Sequence, residues 1–235
     1  MWIVRRRGSV TAKALGKRLR CRASYKFLPR QRTFTINYGG KYPNANLNAF
    51  VESDKLKTHM KLVSFGVSMP KVYLKGEIIP DNAFPLLARK KYHSQGKDVI
   101  YIANRRQLEE DMREHQYDYL IEYINKSSEY RVHILGDDAF VSVKFDGFDP
   151  IVRSHSNGWK QIEYTRKWHD ELIMLATKAI DVLGYDFGAV DIIRRKNKLY
   201  VLEVNSSPGL EPRKLELYSN FFKKKESEWK NENWR

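Results

Sequence analysis

Gly188–Gly209, GAVDIIRRKNKLYVLEVNSSPG, is the stretch that decides the fold. It holds two apolar runs, Ala189–Ile193 and Leu199–Val204, separated by the polar, basic segment Arg194–Lys198. Runs rich in β-branched and large side chains form strands, and a short polar connection makes them pair antiparallel. Side chains alternate faces along a strand, so Glu203 and Asn205 share one face, with Tyr200, Leu202 and Val204 on the other. A loop with an odd number of residues, either the three of Lys196–Lys198 or the five of Arg195–Leu199, sets Asp191 directly opposite Glu203. Two carboxylates and an amide oxygen then converge. Like charges held side by side are costly unless a cation neutralises them, and a hard, all-oxygen donor set suits Mg²⁺ shared with nucleotide phosphates. The plainer alternative is a hairpin whose acids lie at a solvated sheet edge, against which the apolar flanks argue.

The rest of the chain is large enough to bury a core around this hairpin: 235 residues make one or two compact units. Its formal charge of +15 is unevenly spread. Residues 1–51 carry twelve Lys and Arg and no Asp or Glu, while the remaining 31 basic and 28 acidic residues nearly balance. A basic end of this kind either attracts polyanions (nucleic acid, an acidic polypeptide, the ligand's own phosphates) or is a solvated cationic surface. One cysteine, Cys21, excludes an intramolecular disulfide and fits a reducing compartment. No apolar run approaches the length of about 18 residues that spans a bilayer, so the expectation is a soluble, cytoplasmic protein with no membrane partner.

Upstream, Met1–Val4 is a short strand, and Gly8-Ser9 opens an amphipathic helix on Ala12, Leu15 and Leu19. Phe34–Asn37 is another strand, and the Asn-rich Tyr42–Asn48 is expected as a loop at a substrate-binding surface. Ser53 caps a helix burying Leu56, Met60 and Val63, stopped by Gly66. Strands follow at Lys71–Leu74, Phe84–Ala88, Val99–Ala103 and Leu120–Ile124, with a helix capped by Asn104 and Gln107 through Met112. Glu129–Leu135 and Ala139–Phe145 alternate across the turn Gly136-Asp137. Trp168–Leu183 is the strongest amphipathic helix. Residues 221–235 read either as a charged helical tail or as a frayed end.

Three short motifs compete. Asp186-Phe187-Gly188 matches the kinase magnesium triplet, but neither an H-R-D catalytic loop nor a G-x-G-x-x-G opening accompanies it. Lys144-Phe145-Asp146-Gly147 matches the K-x-D-G in which nucleic-acid ligases adenylate a lysine, without the downstream motifs of those enzymes. The third match is distributed along the chain. Ser53-Asp54-Lys55 with Gly66-Val67 and Pro70, Ile121-Glu122-Tyr123-Ile124, Glu129-Tyr130-Arg131-Val132, Val152-Arg153-Ser154 with Asn157-Gly158, and GYDFGAVDI with LEVNSSPGLE occur in one order, twelve positions separating Asp191 from Glu203. In this the chain resembles the ATP-grasp carboxylate-amine ligases, the superfamily of the D-alanine:D-alanine ligases and the ribosomal-protein glutamate ligases.

The resemblance implies an α+β fold in which two subdomains clamp ATP, here a reduced basic region 1–52, an ATP-grasp domain 53–220 divided near 125/126, and a tail 221–235. It implies a ligase that phosphorylates a carboxylate and joins it to an amine (an amino acid, peptide or acidic protein), releasing ADP and phosphate. Asp191, Glu203 and Asn205 fall where the family holds two Mg²⁺ ions, for which Mn²⁺ can substitute. Glu122, Tyr123 and Ile124 fall at the adenine hinge, Glu129 at the ribose hydroxyls, and Lys144 and Arg153 at the γ-phosphate and acyl phosphate. Arg89 or Lys90 stands where the family has a phosphate-binding lysine. The loop after it has one glycine, so His93, Ser94 and Lys97 join the Gly96 amide as phosphate ligands. Two other readings stay open: a nucleotidyltransferase with Lys144 as adenylated nucleophile, and a catalytically idle ATP-grasp module that binds polyanions through residues 1–51.

Overall fold

The computed structural model describes residues 1–25, 32–91, 99–114, 116–151, 153 and 157–233. The protein is α+β, built on three sheets. The first is parallel: β1 (Trp2–Arg5), helix α1 (Val10–Arg18), β2 (Arg22–Ser24) and β3 (Thr35–Tyr38), in the order β2-β1-β3. Ser9 caps α1 by accepting from the Ala12 amide, as its position ahead of the apolar repeat predicts.

Helix α2 (Lys55–Ser64) begins one residue later than expected, because the cap is Asp54, whose carboxylate accepts from the Leu56 and Lys57 amides. Its buried face is also different. His59 and Leu62 are inside, whereas Met60 and Val63 are exposed, since α2 turns the Leu62 side toward the central core. The second sheet is antiparallel, with β4 (Val72–Leu74), β5 (Leu86–Arg89), β6 (Ile100–Ile102) and β7 (Tyr119–Glu122) in the order β4-β7-β5-β6. Helix α3 (Arg105–Glu114) buries Leu108 against it.

The third sheet carries the site. It comprises β8 (Ser128–Leu135), β9 (Asp138–Phe145), β10 (Lys160–Glu163), β11 (Phe187–Arg195) and β12 (Lys198–Asn205), antiparallel in the order β10-β9-β8-β11-β12. Helix α4 (His169–Leu183) covers one face. Its Leu172, Ala176, Ala179, Ile180 and Leu183 meet Tyr130, Val132, Val190, Ile192 and Val201. Each such fully buried Leu, Ile or Val contributes about 1.5–3 kcal/mol relative to exposure.

The opening hairpin forms by another route than loop parity. The turn is the two-residue Lys196-Asn197, with Lys196 at φ +53°, and it pairs Arg195 with Lys198. An even loop would misalign the acids, but a bulge between Asp191 and Ile192 shifts the register, leaves Leu202 without an opposite residue, and brings Asp191 opposite Glu203. The bulge also switches the faces. Leu199 and Val201 before it and Val204 after it all face the α4 core, which corrects the simple alternation expected for Tyr200, Leu202 and Val204.

Helix α5 (Pro212–Asn233) settles the reading of the C-terminal segment as helix. It is more than a charged tail, because Tyr218, Phe221 and Phe222 are buried with Ile3, Leu15, Ile36, Tyr38 and Phe187 in a second core shared by the first and third sheets. The Asn-rich loop joins the same sheets. Asn48 Nδ2 donates to the Phe187 carbonyl at 3.0 Å, its Oδ1 accepts from the Asp186 amide at 2.8 Å, and its own amide donates to Asp186 Oδ2 at 2.6 Å. Asn37 Nδ2 donates to the carbonyls of Tyr42 and Asn48. Asn37 and Asn48 are therefore spent on internal backbone groups rather than on a substrate surface, and Asp186 belongs to this tie. Among the described residues no helix is long and apolar enough to cross a membrane.

Candidate functional site

The face of the third sheet opposite α4 bears a row of polar side chains. Cross-strand pairing aligns Glu163, Ser142, Arg131, Asp191 and Glu203 from β10 to β12, one per strand. The next row pairs Gln161 with Lys144 and Glu129 with Ile193, and the Lys144–Glu129 ion pair joins the two. A period-2 strand exposes alternate residues to one face, so Glu129 and Arg131 necessarily look the same way as Asp191.

Asp191 is buried, and both its oxygens are engaged. Arg131 Nε donates to Oδ1 and Nη2 to Oδ2, each at 2.7 Å, in the parallel fork that guanidinium and carboxylate planes favour. Burial alone would raise the Asp191 carboxyl, but Arg131, Lys144 and Lys55 together hold it well below the usual carboxylate range. The same pairing holds the Arg131 guanidinium firmly protonated despite burial. Glu203 faces Lys55, reaching from the start of α2 with Nζ 2.5 Å from Oε1. Asn205, half-buried, follows on the same face as Glu203.

The donor chemistry fits a hard divalent cation. Oxygens from neighbouring strand positions converge, and positive charge already stands against each carboxylate, with the Lys55 ammonium on Glu203 as a stand-in. Among the described residues no group of three or more His, Cys, Asp or Glu side chains is placed to hold a metal. An ion here would rely on the Asn205 amide and on ligand oxygens to complete its shell.

One row away lies a buried cationic group. Lys144 Nζ is ion-paired with Glu129 Oε1 and donates to the Arg153 carbonyl at 2.6 Å. Lys126 Nζ stands 2.8 Å from Glu129 Oε2 and donates to the Ile151 carbonyl at 2.9 Å. Burial lowers the Lys126 ammonium from its ordinary value, opposed by Glu129. The Arg153 guanidinium lies over the Trp159 ring at 4.4 Å, and its Nη2 makes a long 3.5 Å contact to the Lys126 carbonyl.

The second sheet supplies the other wall. Arg89, the last residue of β5, is half-buried opposite Tyr119, and its Nε is buried without a hydrogen-bond partner among the described residues, whereas Lys90 is exposed. Burial raises the Tyr119 phenol, with Arg89, Glu203 and Asp54 all close enough to act on it, so the two sheets meet at this point. In the segment expected as the hinge, the Glu122 amide donates to the Lys71 carbonyl at 2.8 Å and the Tyr123 amide to the Pro85 carbonyl at 3.1 Å, while Ile124 is buried. His93, Ser94, Gly96 and Lys97 lie outside the described residues.

The structure thus brings Asp191, Glu203, Lys144, Glu129 and Arg153 to one face, with Arg89 and the hinge beside it. Sequence reasoning missed Arg131, Lys55 and Lys126 as members of the site. For Arg131 the signal was present, since strand alternation from Glu129 points it at Asp191; for Lys126, which lies in a loop, no periodicity could supply one. His133, which binds Tyr218 Oη through Nδ1 at 3.0 Å and is kept neutral by burial and by Lys214 and Arg131, is part of the scaffold joining α5 to β8.

A family model described as the RimK-like ATP-grasp domain matches residues 52–224. A relative from Haemophilus influenzae named "Probable alpha-L-glutamate ligase" is 30% identical over an alignment of 194 residues that covers 76% of this chain and 61% of that protein. The chain therefore spans less than two thirds of that relative's length. Among solved structures, the D-alanine–D-alanine ligase of Bacillus anthracis superposes with a TM-score of 0.66 at 14% identity, over 98% of both chains. The ATP-grasp ligase PsnB, complexed with minimal precursor, Mg and ADP, does so with a TM-score of 0.69 at 12% identity, over 96% of both chains. At such identities the superpositions speak for the fold, and the family match spans both sheets that form the cleft: the chain belongs to the RimK-like ATP-grasp family.

Proposed function

We propose that the protein is an ATP-dependent carboxylate-amine ligase. The observation that carries this reading is the register that puts Asp191 opposite Glu203 on the same sheet face as Lys144. In the reaction a carboxylate oxygen attacks the γ-phosphorus of ATP, the bond to the leaving ADP breaks, and an acyl phosphate forms. An amine then attacks the acyl carbon, the C–N bond forms, inorganic phosphate departs, and the amine proton is lost to solvent or to that phosphate. Asp191, Glu203 and Asn205 would hold Mg²⁺, which when bound supplies charge neutralisation at the phosphates. Lys144 and Arg153 hold the transferring phosphoryl group, and their buried setting strengthens each charge on it. Arg89, with Lys90 and the loop residues His93, Ser94, Gly96 and Lys97, contacts the remaining phosphates, and the Glu122–Ile124 backbone holds the adenine.

The substrates suit an acid and an amine drawn from amino acids, peptides or acidic proteins, and the basic stretch 1–51 suits an anionic one. The single cysteine suits a cytoplasmic setting. We divide the chain into a basic unit 1–52, a nucleotide-clamping unit 53–220 and the remainder of α5. The test is a product analysis with ATP, Mg²⁺ and panels of amino acids, peptides and acidic proteins. ADP with phosphate, together with an amide product by mass spectrometry, is expected, and Glu203→Gln should abolish it. AMP with a covalently adenylated Lys144 would replace this reading by nucleotidyl transfer, and binding of polyanions without any turnover would reduce the protein to an idle module.

A further inference from the structure

The segment Lys144-Phe145-Asp146-Gly147 ends in a glycine whose backbone does not ask for one, since its φ is not positive. Space is the reason. A Cβ on Gly147 would stand 2.1 Å from Cδ1 and 2.2 Å from Cγ and Nε1 of Trp159, so the indole already fills the place of a side chain. The indole is also fixed from the loop beyond. Its Nε1 donates to the Asp149 carbonyl at 2.9 Å, and the Asp149 carboxylate accepts from the Ile151 amide at 2.8 Å and from Asn157 Nδ2 at 3.0 Å. An ion pair of 3.0 Å between Lys160 and Asp146 closes the base of the same loop.

What this seat carries is Arg153, whose Cζ lies 4.4 Å from the centre of the Trp159 ring. A guanidinium held by a carboxylate spends its donors on it, as Arg131 spends two on Asp191. One stacked on an aromatic face is held without spending any, because its N–H groups point outward in its own plane. Arg153 has spent few of its five. Its Nε is buried without a hydrogen-bond partner among the described residues, and its Nη2 makes the long 3.5 Å contact to the Lys126 carbonyl. The guanidinium is also close enough to Tyr123, in the segment expected as the hinge, to oppose the rise that burial imposes on that phenol, so it faces the second sheet across the cleft. Buried donors without partners are costly, and the oxygens of an anion would satisfy these.

We infer that Trp159, seated by Gly147, is a positioning residue for Arg153, its aromatic face presenting the guanidinium with donors free for the oxygens of the transferring phosphoryl group. The inference rests on the ligase reading above. The experiment measures, by calorimetry with Mg²⁺ present, how much more tightly each chain binds the non-hydrolysable ATP analogue AMP-PNP than ADP. The wild type is expected to prefer AMP-PNP by about tenfold. Trp159→Leu removes the aromatic face and Gly147→Ala displaces it, so each should shrink the preference to about twofold while ADP affinity stays within about twofold of wild type. Trp159→Phe keeps a face and should keep at least about half of the preference. Arg153→Met should lose as much as Trp159→Leu, and Arg153→Met/Trp159→Leu no more than either, because the ring acts through the guanidinium. Losses that multiply in the double variant would overturn the inference, as would Trp159→Leu with the wild-type preference or Trp159→Phe as deficient as Trp159→Leu. Should the variants not fold, the wild type labelled with 5-fluorotryptophan decides: one of its five fluorine signals should shift with AMP-PNP and not with ADP, and the lack of any such signal overturns the inference. A wild type that binds neither nucleotide overturns the ligase reading and this inference with it, whereas an AMP-PNP preference indifferent to Trp159 and Gly147 overturns this inference alone.

Discussion

Replacing Arg131 by methionine isolates the electrostatics on which the opening hairpin depends. Arg131 and Asp191 are 20% and 12% exposed and joined by two 2.7 Å bonds. Methionine fills much of the stem volume but leaves a buried carboxylate facing an apolar neighbour. Removing one partner of a buried pair costs about 3–5 kcal/mol, which for a urea slope of about 2–3 kcal/mol per molar is a fall in midpoint of about 1–2 M. The pH dependence should change sign as well. In the wild type the Asp191 carboxyl is held below its unfolded value, so its contribution is fully present above the unfolded pKa and lost as pH falls through the folded one. In Arg131→Met the burial that Arg131 offsets prevails and raises the carboxyl above its unfolded value, so the variant gains stability on acidification from pH 7 to 5 where the wild type does not. Urea unfolding followed by tryptophan fluorescence at both pH values measures this, and Arg131→Met/Asp191→Asn should recover most of the loss. A midpoint within about 0.3 M of wild type at pH 7, or a variant that weakens on acidification in parallel with it, would refute the reasoning.

Lys55→Met removes the ammonium competing for Glu203 Oε1 at 2.5 Å, so Mn²⁺ binding without nucleotide, read by electron paramagnetic resonance, should tighten about fivefold or more; unchanged or weaker binding would mean that the ion does not use Glu203. Asn48→Ala strands the Asp186 amide and the Phe187 carbonyl and puts a less tolerant residue at φ +52°, for an expected loss of about 2–4 kcal/mol in urea unfolding; a loss under about 1 kcal/mol would show that the tie between the first and third sheets carries little.

How far the sequence could carry the fold depends on what each element needs from its neighbours. Helix α4 and the hairpin β8–β9 were legible because their apolar periods and turn residues are local and agree with their packing. The face of α2 was not, because Leu56, Met60 and Val63 form an equally good stripe and only the position of α4 selects the side that carries Leu62. Phe221 and Phe222 sit among charged residues, so their burial depends on β1, β3 and β11, which lie far away in the chain. At the candidate site, Asp191 and Glu203 were marked by strand pairing, and Lys144 and Arg153 by the resemblance to a family, while Lys126 and Lys55 arrive on long side chains from a loop and a helix start, where no period exists to mark them.

The bulge at Leu202 divides its hairpin into a half that the molecule must keep and a half that it can trade. From Phe187 to Arg194, β11 is locked to β8 in unbroken register, so the position of Asp191 is dictated from the interior of the sheet. Across from it, Glu203 takes its place after the bulge has already absorbed the parity of the turn. Lys196-Asn197 can therefore lengthen by insertion in pairs, or be exchanged for another two-residue turn, without moving either carboxylate. Residues at the tip answer to local geometry, and even deletion of Leu202, which has no opposite residue, would leave Val201 opposite Ile192 and Glu203 opposite Asp191, with both carboxylates on the face they share now.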